Sequence, residues 1–114
     1  MTHNDITTDR ELLELAAKAA GIAVNPWHEK YGLLLSDFDF EPWNPLTDDG
    51  DALRLAVKLK LCVGYPKLPG VEVWVACFVG NIFEKITESI NTDPCAATRR
   101  AIVRAAAEIG RSME

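Results

Sequence analysis

Three aspartates in the middle of the chain have the spacing closest to that of a chemical site. Asp48, Asp49 and Asp51 fall in one short stretch, and hard divalent cations bind clusters of carboxylate oxygens. A metal held there would support hydrolysis of a phosphate ester. The spacing does not match a calcium-binding loop, and Asp37 and Asp39 are the acid pair that could complete the cluster.

The same three aspartates also fit the beginning of a helix. The carboxylate of Asp48 can accept the free backbone N–H groups of a first helical turn, as an N-cap does. Asp49 and Asp51 would then lie at the positive end of the helix dipole, which favours anionic side chains. We prefer this interpretation, so we predict neither a metal site nor a cofactor. The metal-dependent enzyme is kept as an alternative.

No other set of residues has the pattern of a catalytic site. His28 lies in a proline-containing turn, and the sequence has no Gly-x-Ser-x-Gly, Cys–His pairing or His-x-x-x-His spacing. The cysteines, Cys62, Cys77 and Cys95, are odd in number and too far apart for a zinc or disulfide framework. We therefore expect small buried thiols in a reducing cytosol, and a protein that is not an enzyme.

Large aromatic side chains in turns are the first candidates for binding. Trp27 and Trp43 lie in predicted turns, and Asn44 adjoins Trp43. Because aromatic side chains dominate the energetics of many interfaces, these residues could line a pocket for a planar ligand or anchor a partner protein. The alternative is that the tryptophans close the ends of the core.

Arginines near the end of the chain are the second candidates for binding. Arg99, Arg100 and Arg104 lie on one predicted helix with Arg111. Guanidinium groups suit the recognition of phosphate or carboxylate. The arginine stripe is short and interrupted by Glu108, so the alternative is a solvated helix face.

The charge distribution disfavours direct binding of nucleic acid. The chain has 114 residues and a net charge of −5. Residues 1–56 carry eleven acids and four bases, a net of −7, whereas residues 94–114 carry four arginines and two glutamates, a net of +2. Nucleic-acid binding needs a basic surface. The longest apolar run, Val73–Val79, is too short to span a bilayer, so we expect a cytoplasmic protein without membrane contact.

Local patterns predict three helices in a single domain that spans residues 1–114, with a polar tail at 1–7. Thr8 and Glu11 form a capping box before a helix over about 9–20, which Gly21 ends. Asp93 and Pro94 begin the last helix, which runs to about residue 109. The expected buried side of the middle helix consists of Ala52, Leu53, Ala56, Val57 and Leu59. That of the last helix consists of Thr98, Ile102, Ala105, Ile109 and Met113, opposite Arg100, Arg104, Glu108 and Arg111, with an ion pair between Arg104 and Glu108.

Alternating residues predict the strands. We expect a strand over 31–36 that continues to 40 beyond a bend or bulge, a second over 59–65, a third over 71–79 and a fourth within 82–90. Both sides of Val71–Val79 are largely apolar, which indicates a central strand covered on both sides. The fold class is therefore α+β: a mainly antiparallel sheet of about four strands with three helices packed on it, in the order α-β-α-β-β-β-α.

Three stretches carry a resemblance to a family. They are residues 11–22 (ELLELAAKAAGI), residues 43–59 (WNPLTDDGDALRLAVKL) and residues 93–110, which contain ATRRAIVRAAAEIG. They resemble small uncharacterised proteins encoded by tailed phages and prophages, and more distantly the phage domain described as an α-β-α sandwich. The resemblance covers roughly half of the chain at motif level. It implies an accessory phage product of unassigned role in the host cell, and it brings no catalytic residues.

Taken together, these observations favour a non-enzymatic binding protein from a phage or prophage. Its target would be a host component, such as a defence protein, reached by protein contact or by sequestering a small signalling nucleotide. One alternative is the metal-dependent enzyme acting on a phosphate ester through Asp48, Asp49 and Asp51. Another is a structural or assembly protein of the phage. Apolar stripes on the helices could also support a homo-oligomer.

Overall fold

The chain combines helices with one antiparallel sheet. A computed structural model describes residues 8–36, 41–65, 72–90 and 93–113. Within them, the regular elements are α1 (Asp9–Ala20), α2 (Asp49–Leu59), β1 (Cys62–Gly64), β2 (Glu72–Val79), β3 (Ile82–Ser89) and α3 (Pro94–Ser112). The strands are antiparallel in the order β1-β2-β3. The predicted α+β class and the three helices are confirmed, whereas three strands replace the expected four in these residues.

Side chains at the ends of α1 satisfy the free backbone groups of that helix. The Glu11 N–H donates to the Thr8 hydroxyl, and the Thr8 N–H donates to the Glu11 carboxylate, each at 3.1 Å. These hydrogen bonds from Thr8 hold the pKa of Glu11 below its usual value. At the other end, Gly21 takes a left-handed φ of 67° and the Ile22 N–H donates to the Ala17 carbonyl. The predicted capping box and glycine end are therefore confirmed.

Aspartates begin the other two helices. Asp48 accepts the Asp51 N–H at 2.8 Å, and Asp93 accepts the Ala96 N–H at 3.0 Å. Pro94 occupies the first position of α3, where its missing N–H costs nothing. Both predicted helix starts are confirmed, and α3 continues three residues beyond the predicted end, to Ser112.

The last helix, α3, runs through the core instead of lying on its surface. Its buried residues spread over roughly two-thirds of the helix circumference at 3.6 residues per turn. They are Ala101, Ile102, Val103, Ala105, Ala106, Ala107 and Gly110. The predicted single stripe through Ile102, Ala105 and Ile109 is therefore only one margin of a wider buried surface. The predicted pair between Arg104 and Glu108 is wrong.

Helix α3 is buried because α1 packs on one side of it and the sheet on the other. It contacts α1, α2, β2 and β3. The contact with α1 is closest at Gly110, where an added Cβ would lie 2.1 Å from the Leu15 carbonyl oxygen. This distance is far below van der Waals contact, so only glycine fits there.

The predicted buried side of α2 is confirmed at Ala52 and Ala56 and is wrong at Leu53 and Val57. Ala52, Leu55 and Ala56 are buried, whereas Leu53 and Val57 are 64% and 68% exposed. Apolar residues in this helix lie on more than one side, so the spacing alone does not select the buried one. The buried side is the one that packs against α3.

The sheet is covered by helices on one side. Val73, Val75 and Cys77 of β2 are buried on the side toward α3. Trp74 and Phe78 alternate with them and point to the opposite side, where Phe78 is 65% exposed. The prediction that this strand is covered on both sides is therefore wrong. The strand predicted within 82–90 is confirmed as β3, and a turn at Gly80, which has a φ of 66°, joins it to β2.

The predicted strand over 31–36 is replaced by turns and isolated bridges. His28 and Gly32 exchange two backbone hydrogen bonds of 2.8 Å, which close a tight turn, and Gly32 has a φ of 71°. That left-handed conformation breaks the extended backbone. Leu35 and Leu34 then form single bridges to Val24 and Pro42. The predicted continuation through 37–40 and the predicted tail at 1–7 lie outside the described residues.

The cysteines differ in their surroundings. Cys62 and Cys95 are exposed, which corrects the expectation of three buried thiols, and Cys77 is buried on the inner side of β2. Burial raises the pKa of the Cys77 thiol, and the nearby carboxylates of Glu84 and Glu108 raise it further. Cys77 therefore remains a protonated, unreactive thiol near neutral pH.

The close approach of α1 and α3 gives a stability prediction. Gly110→Ala should lower the free energy of unfolding by about 2 kcal/mol, because the new methyl group overlaps the Leu15 backbone. Gly50→Ala is the matched control, since its Cβ would meet the flexible end of Arg54 at 3.1 Å and alanine favours helix by up to about 1 kcal/mol. Urea unfolding monitored by circular dichroism measures both. Equal stability of the two variants would contradict the packing of α1 on α3.

The thiols give a second prediction. Ellman's reagent at neutral pH should label Cys62 and Cys95 rapidly, while Cys77 reacts only after unfolding. The raised pKa also makes the free energy of unfolding depend on pH. In the unfolded chain the Cys77 thiol ionises at about pH 8.5, whereas in the folded chain it stays protonated at that pH. This contribution to stability is therefore present below that pH and is lost as the pH rises further. Rapid labelling of all three thiols in the folded protein would contradict the burial of Cys77.

Candidate interaction surface

The three aspartates act mainly as parts of the helix start. The Asp48 carboxylate accepts the Asp51 N–H. The Asp51 carboxylate accepts the Asn44 N–H at 3.0 Å and contacts Arg54 at 2.8 Å. Asp49 forms an ion pair with Arg99 at 2.6 Å. Each carboxylate thus has its own partner, and no group of three or more histidine, cysteine or acidic side chains in the described residues is arranged to hold a metal.

Trp43 and Asn44 belong to the same structural turn. Trp43 is buried in the core cluster. The Asn44 side-chain oxygen accepts the Leu46 N–H at 2.9 Å, and its backbone oxygen accepts the Asp48 N–H. This arrangement is an Asx-turn that leads into α2. Asn44 therefore shapes the turn that leads into α2, and its role in binding stays a prediction.

Trp27 lies apart from Trp43, against the turn that replaces the predicted strand. A Cβ added to Gly32 would lie 3.5 Å from the Trp27 ring, so the ring packs against the bare backbone of this glycine. The Arg10 guanidinium lies 5.5 Å from the ring centroid, within the range of a cation–π interaction. The ring is partly buried against the core. Trp43 lines the larger of the two clefts beside α2 that are described below, whereas Trp27 lines neither of them.

Arg99 crosses from α3 to the beginning of α2. Its guanidinium donates to the Leu46 carbonyl at 2.8 Å and to Asp49 at 2.6 Å. Its side chain is only 17% exposed, whereas Asp49 is 74% exposed. Arg99 therefore fastens α2 to α3 and is not part of a solvated arginine stripe.

Arg100 and Arg104 lie on the other side of α3, toward the edge of the sheet. Arg100 contacts Asp9 at 3.1 Å. Both arginines also approach the Glu88 carboxylate, and the distance from Arg104 to Glu88 is 2.5 Å. Arg104 also donates to the Thr87 carbonyl at 2.9 Å. The predicted arginine group is thus split between two places, and its charges are already matched by carboxylates.

Two clefts border α2, and neither concentrates positive charge. The larger, about 660 Å³, is lined by Trp43, Glu41, Asp51, Arg54 and Lys58 among others. Its two acids offset its two bases, so it lacks the excess of cations that phosphate recognition favours.

The smaller cleft, called here the α2–α3 groove, has a volume of about 270 Å³ and apolar walls that include Leu53, Val63, Tyr65 and Ile102. It is below the size of about 300–1,000 Å³ that is usual for small-molecule sites. This groove therefore has room for a few side chains of a protein rather than for a nucleotide.

The most prominent exposed apolar surface lies on the side of the sheet opposite α3. We call it the aromatic face and define it by Trp74 and Phe78 of β2 and Phe83 of β3. Phe78 and Phe83 are cross-strand neighbours and are 65% and 59% exposed. Their ring centroids lie 5.5 Å apart in an edge-to-face arrangement, which is favourable for aromatic pairs.

Trp74 anchors the other end of the aromatic face. It is the cross-strand partner of Gly64, and an added Cβ on Gly64 would lie 2.0 Å from the Trp74 ring. The indole therefore lies flat over the bare backbone of β1. The Lys85 ammonium lies 5.5 Å from the same ring, so Trp74 is held in a fixed orientation by neighbours on both strands.

The sequence contained a signal for this surface that the expectation of a covered strand overlooked. The outward side of β3 carries Lys85, Thr87 and Ser89 beside Phe83. Polar residues at alternate positions are typical of a strand side that faces solvent. The aromatic residues of the paired strand must face the same way, so Phe78 could have been predicted to be exposed.

No helix in the described residues has the length and hydropathy to cross a membrane. No protein-family model, curated protein or solved structure matches the chain.

Proposed function

We propose that this chain is a non-enzymatic binding module that contacts a partner protein through the aromatic face. The observation that carries the proposal is the exposure of Phe78 and Phe83, 65% and 59% respectively, side by side on two paired strands. Contiguous exposed apolar surface is unusual on soluble proteins and marks interaction sites. The resemblance to accessory phage proteins adds the expectation that the partner belongs to the host, for example a component of its defence.

The geometry of the aromatic face suits a protein surface better than a small molecule. Its side chains project from a sheet and do not enclose a cavity. Trp74 is fixed by Gly64 and Lys85, so little side-chain entropy would be lost when a partner docks. Rigid aromatic side chains of this kind are typical hot spots of protein interfaces.

The charges support protein contact over the sequestering of a nucleotide. A nucleotide phosphate needs cationic groups that are free to bind it. Arg99 is held by Asp49, and Arg104 by Glu88. Recruiting either arginine would leave a carboxylate without its partner, whereas docking on the aromatic face leaves both of these ion pairs intact.

The engagement of the aspartates also supports a binding role over metal-dependent hydrolysis. Asp51 has a side chain that is 14% exposed and already holds Arg54 and the Asn44 N–H. A divalent cation would have to displace both contacts to collect several carboxylate oxygens. An assembly role in a phage particle would use the same apolar surface, and it differs from the present proposal in the identity of the partner.

The proposed contact predicts a surface-specific loss of binding. An affinity-tagged chain, used as bait in a lysate of the cell that carries the gene, should retain a partner that Phe78→Glu and Phe83→Glu no longer retain. The reason is that a carboxylate placed in an apolar contact loses its hydration without gaining a partner. The amount of the retained protein is measured by quantitative mass spectrometry.

Val57→Glu is the matched control, because Val57 is 68% exposed but lies on α2, away from the sheet. It should retain the same partner as the unmodified chain. Thermal unfolding should show that all three variants stay within about 0.5 kcal/mol of the parent, as expected for exposed positions. Retention of the same proteins by all variants, or no specific protein in any of them, would contradict the proposal.

A further inference from the structure

We propose that His28 makes the turn at residues 28–32 sensitive to pH: the neutral imidazole holds this turn closed, and protonation of the ring opens it. The 28–32 turn is the tight turn that replaces the predicted strand, and it ends at Gly32. The device uses no residue of the aromatic face, so its test is independent of the proposed function.

The imidazole of His28 accepts hydrogen bonds from the backbone of its own turn. The Nδ1 atom accepts the Lys30 N–H at 3.0 Å and the Tyr31 N–H at 3.2 Å. A ring nitrogen that accepts carries no proton, so the neutral ring must hold its one proton at Nε2. The turn therefore selects one tautomer of this histidine.

The backbone closes the same turn around the imidazole. His28 and Gly32 exchange two hydrogen bonds of 2.8 Å between their N–H and carbonyl groups. The N–H groups of Lys30 and Tyr31 have no backbone acceptor in the described residues, so the imidazole is the acceptor that the turn provides for them. The ring thus acts as the side-chain oxygen does in an Asx-turn.

A proton on Nδ1 is incompatible with this arrangement. Both nitrogens of a charged imidazole are donors, so the new N–H would face the N–H groups of Lys30 and Tyr31 with no acceptor between them. Both hydrogen bonds are lost, and hydrogens of like partial charge are brought together. The ring must therefore leave its place, and the turn loses the side chain that holds it.

The charged groups around the imidazole do not offset this loss. Glu29 follows it directly in the chain but forms no ion pair with it in the described residues. The other charged neighbours are basic, namely Lys30 and the Arg10 guanidinium over the Trp27 ring. The Lys30 ammonium lies 5.3 Å from the centroid of the Tyr31 ring, and the imidazole lies 4.9 Å from the same centroid. A charged imidazole would therefore be repelled by a cation already on that ring.

The direction of the pH dependence follows from the charge of the ring. Histidine side chains in general change charge between about pH 5 and about pH 8, whereas carboxyl, ammonium and phenol groups ordinarily titrate outside that range. The contribution of the two hydrogen bonds to the stability of the turn is present while the ring is neutral and is lost as the pH falls through this range. Because the Trp27 ring packs against the backbone of Gly32, opening of the turn also uncovers that ring.

Amide hydrogen exchange followed by NMR tests the device at about pH 7.5 and about pH 5.5. Protection of the His28 and Gly32 amides, corrected for the intrinsic pH dependence of exchange, should fall about 10-fold at the lower pH. His28→Asn is the matched control, because an amide oxygen accepts the same N–H groups at either pH and His3 remains in the chain. Equal protection of the unmodified chain at both pH values, or the same loss in His28→Asn, would overturn the proposal.

Nitrogen-15 chemical shifts of the imidazole test the hydrogen bonding directly. At the higher pH, Nδ1 of His28 should have the shift of an unprotonated nitrogen and Nε2 that of a protonated one. His28→Ala gives the reference for an open turn, because its amide protection should be low and equal at both pH values. A neutral ring with its proton on Nδ1 would rule out the device.

Discussion

The structure depends on the close packing of α3 against α1 and the sheet at the same time. Small side chains make this possible, since Ala101, Ala105 and Ala106 are completely buried and Gly110 meets the Leu15 backbone directly. A larger residue at these positions would push α3 away from both α1 and the sheet instead of displacing a single neighbouring side chain. Because α2 and the strands also contact α3, the position of every described helix is fixed by this one element.

The same arrangement explains why the sheet has an open side. Helix α3 packs on one side of the sheet, and α1 and α2 pack on α3, so these helices form a single layered stack against that side. The aromatic face is what remains. The edge of the sheet at β3 is partly occupied as well. Arg104 donates to the Thr87 carbonyl, so this backbone oxygen is no longer free to accept a hydrogen bond from another strand. Blocking an edge in this way disfavours the addition of another strand beside β3.

The features that sequence predicts well are those decided by a few neighbouring residues. Each helix start depends on two residues close together in sequence, namely Thr8 with Glu11 and Asp93 with Pro94. The structure has both helix starts where the sequence predicts them. The buried side of α2 could not be obtained in this way, because Leu53 and Leu55 are equally apolar and only the position of α3 distinguishes them. The strand predicted near Gly32 failed for a related reason: alternation was visible, but the left-handed turn with His28 was not.

The candidate site was predictable only in part. Residue type singled out the arginines and tryptophans as candidates for binding, but the carboxylates that the arginines contact lie far away in sequence. The pairs are Arg99 with Asp49, Arg100 with Asp9, and Arg104 with Glu88. Two acids of the front half, Asp49 and Asp9, are thus joined to arginines near the end of the chain by ion pairs between elements. A phosphate ligand would have to compete with these carboxylates for each guanidinium. A partner that docks on the aromatic face, as proposed above, would meet no such competition, because it would leave the ion pairs of Arg99, Arg100 and Arg104 in place.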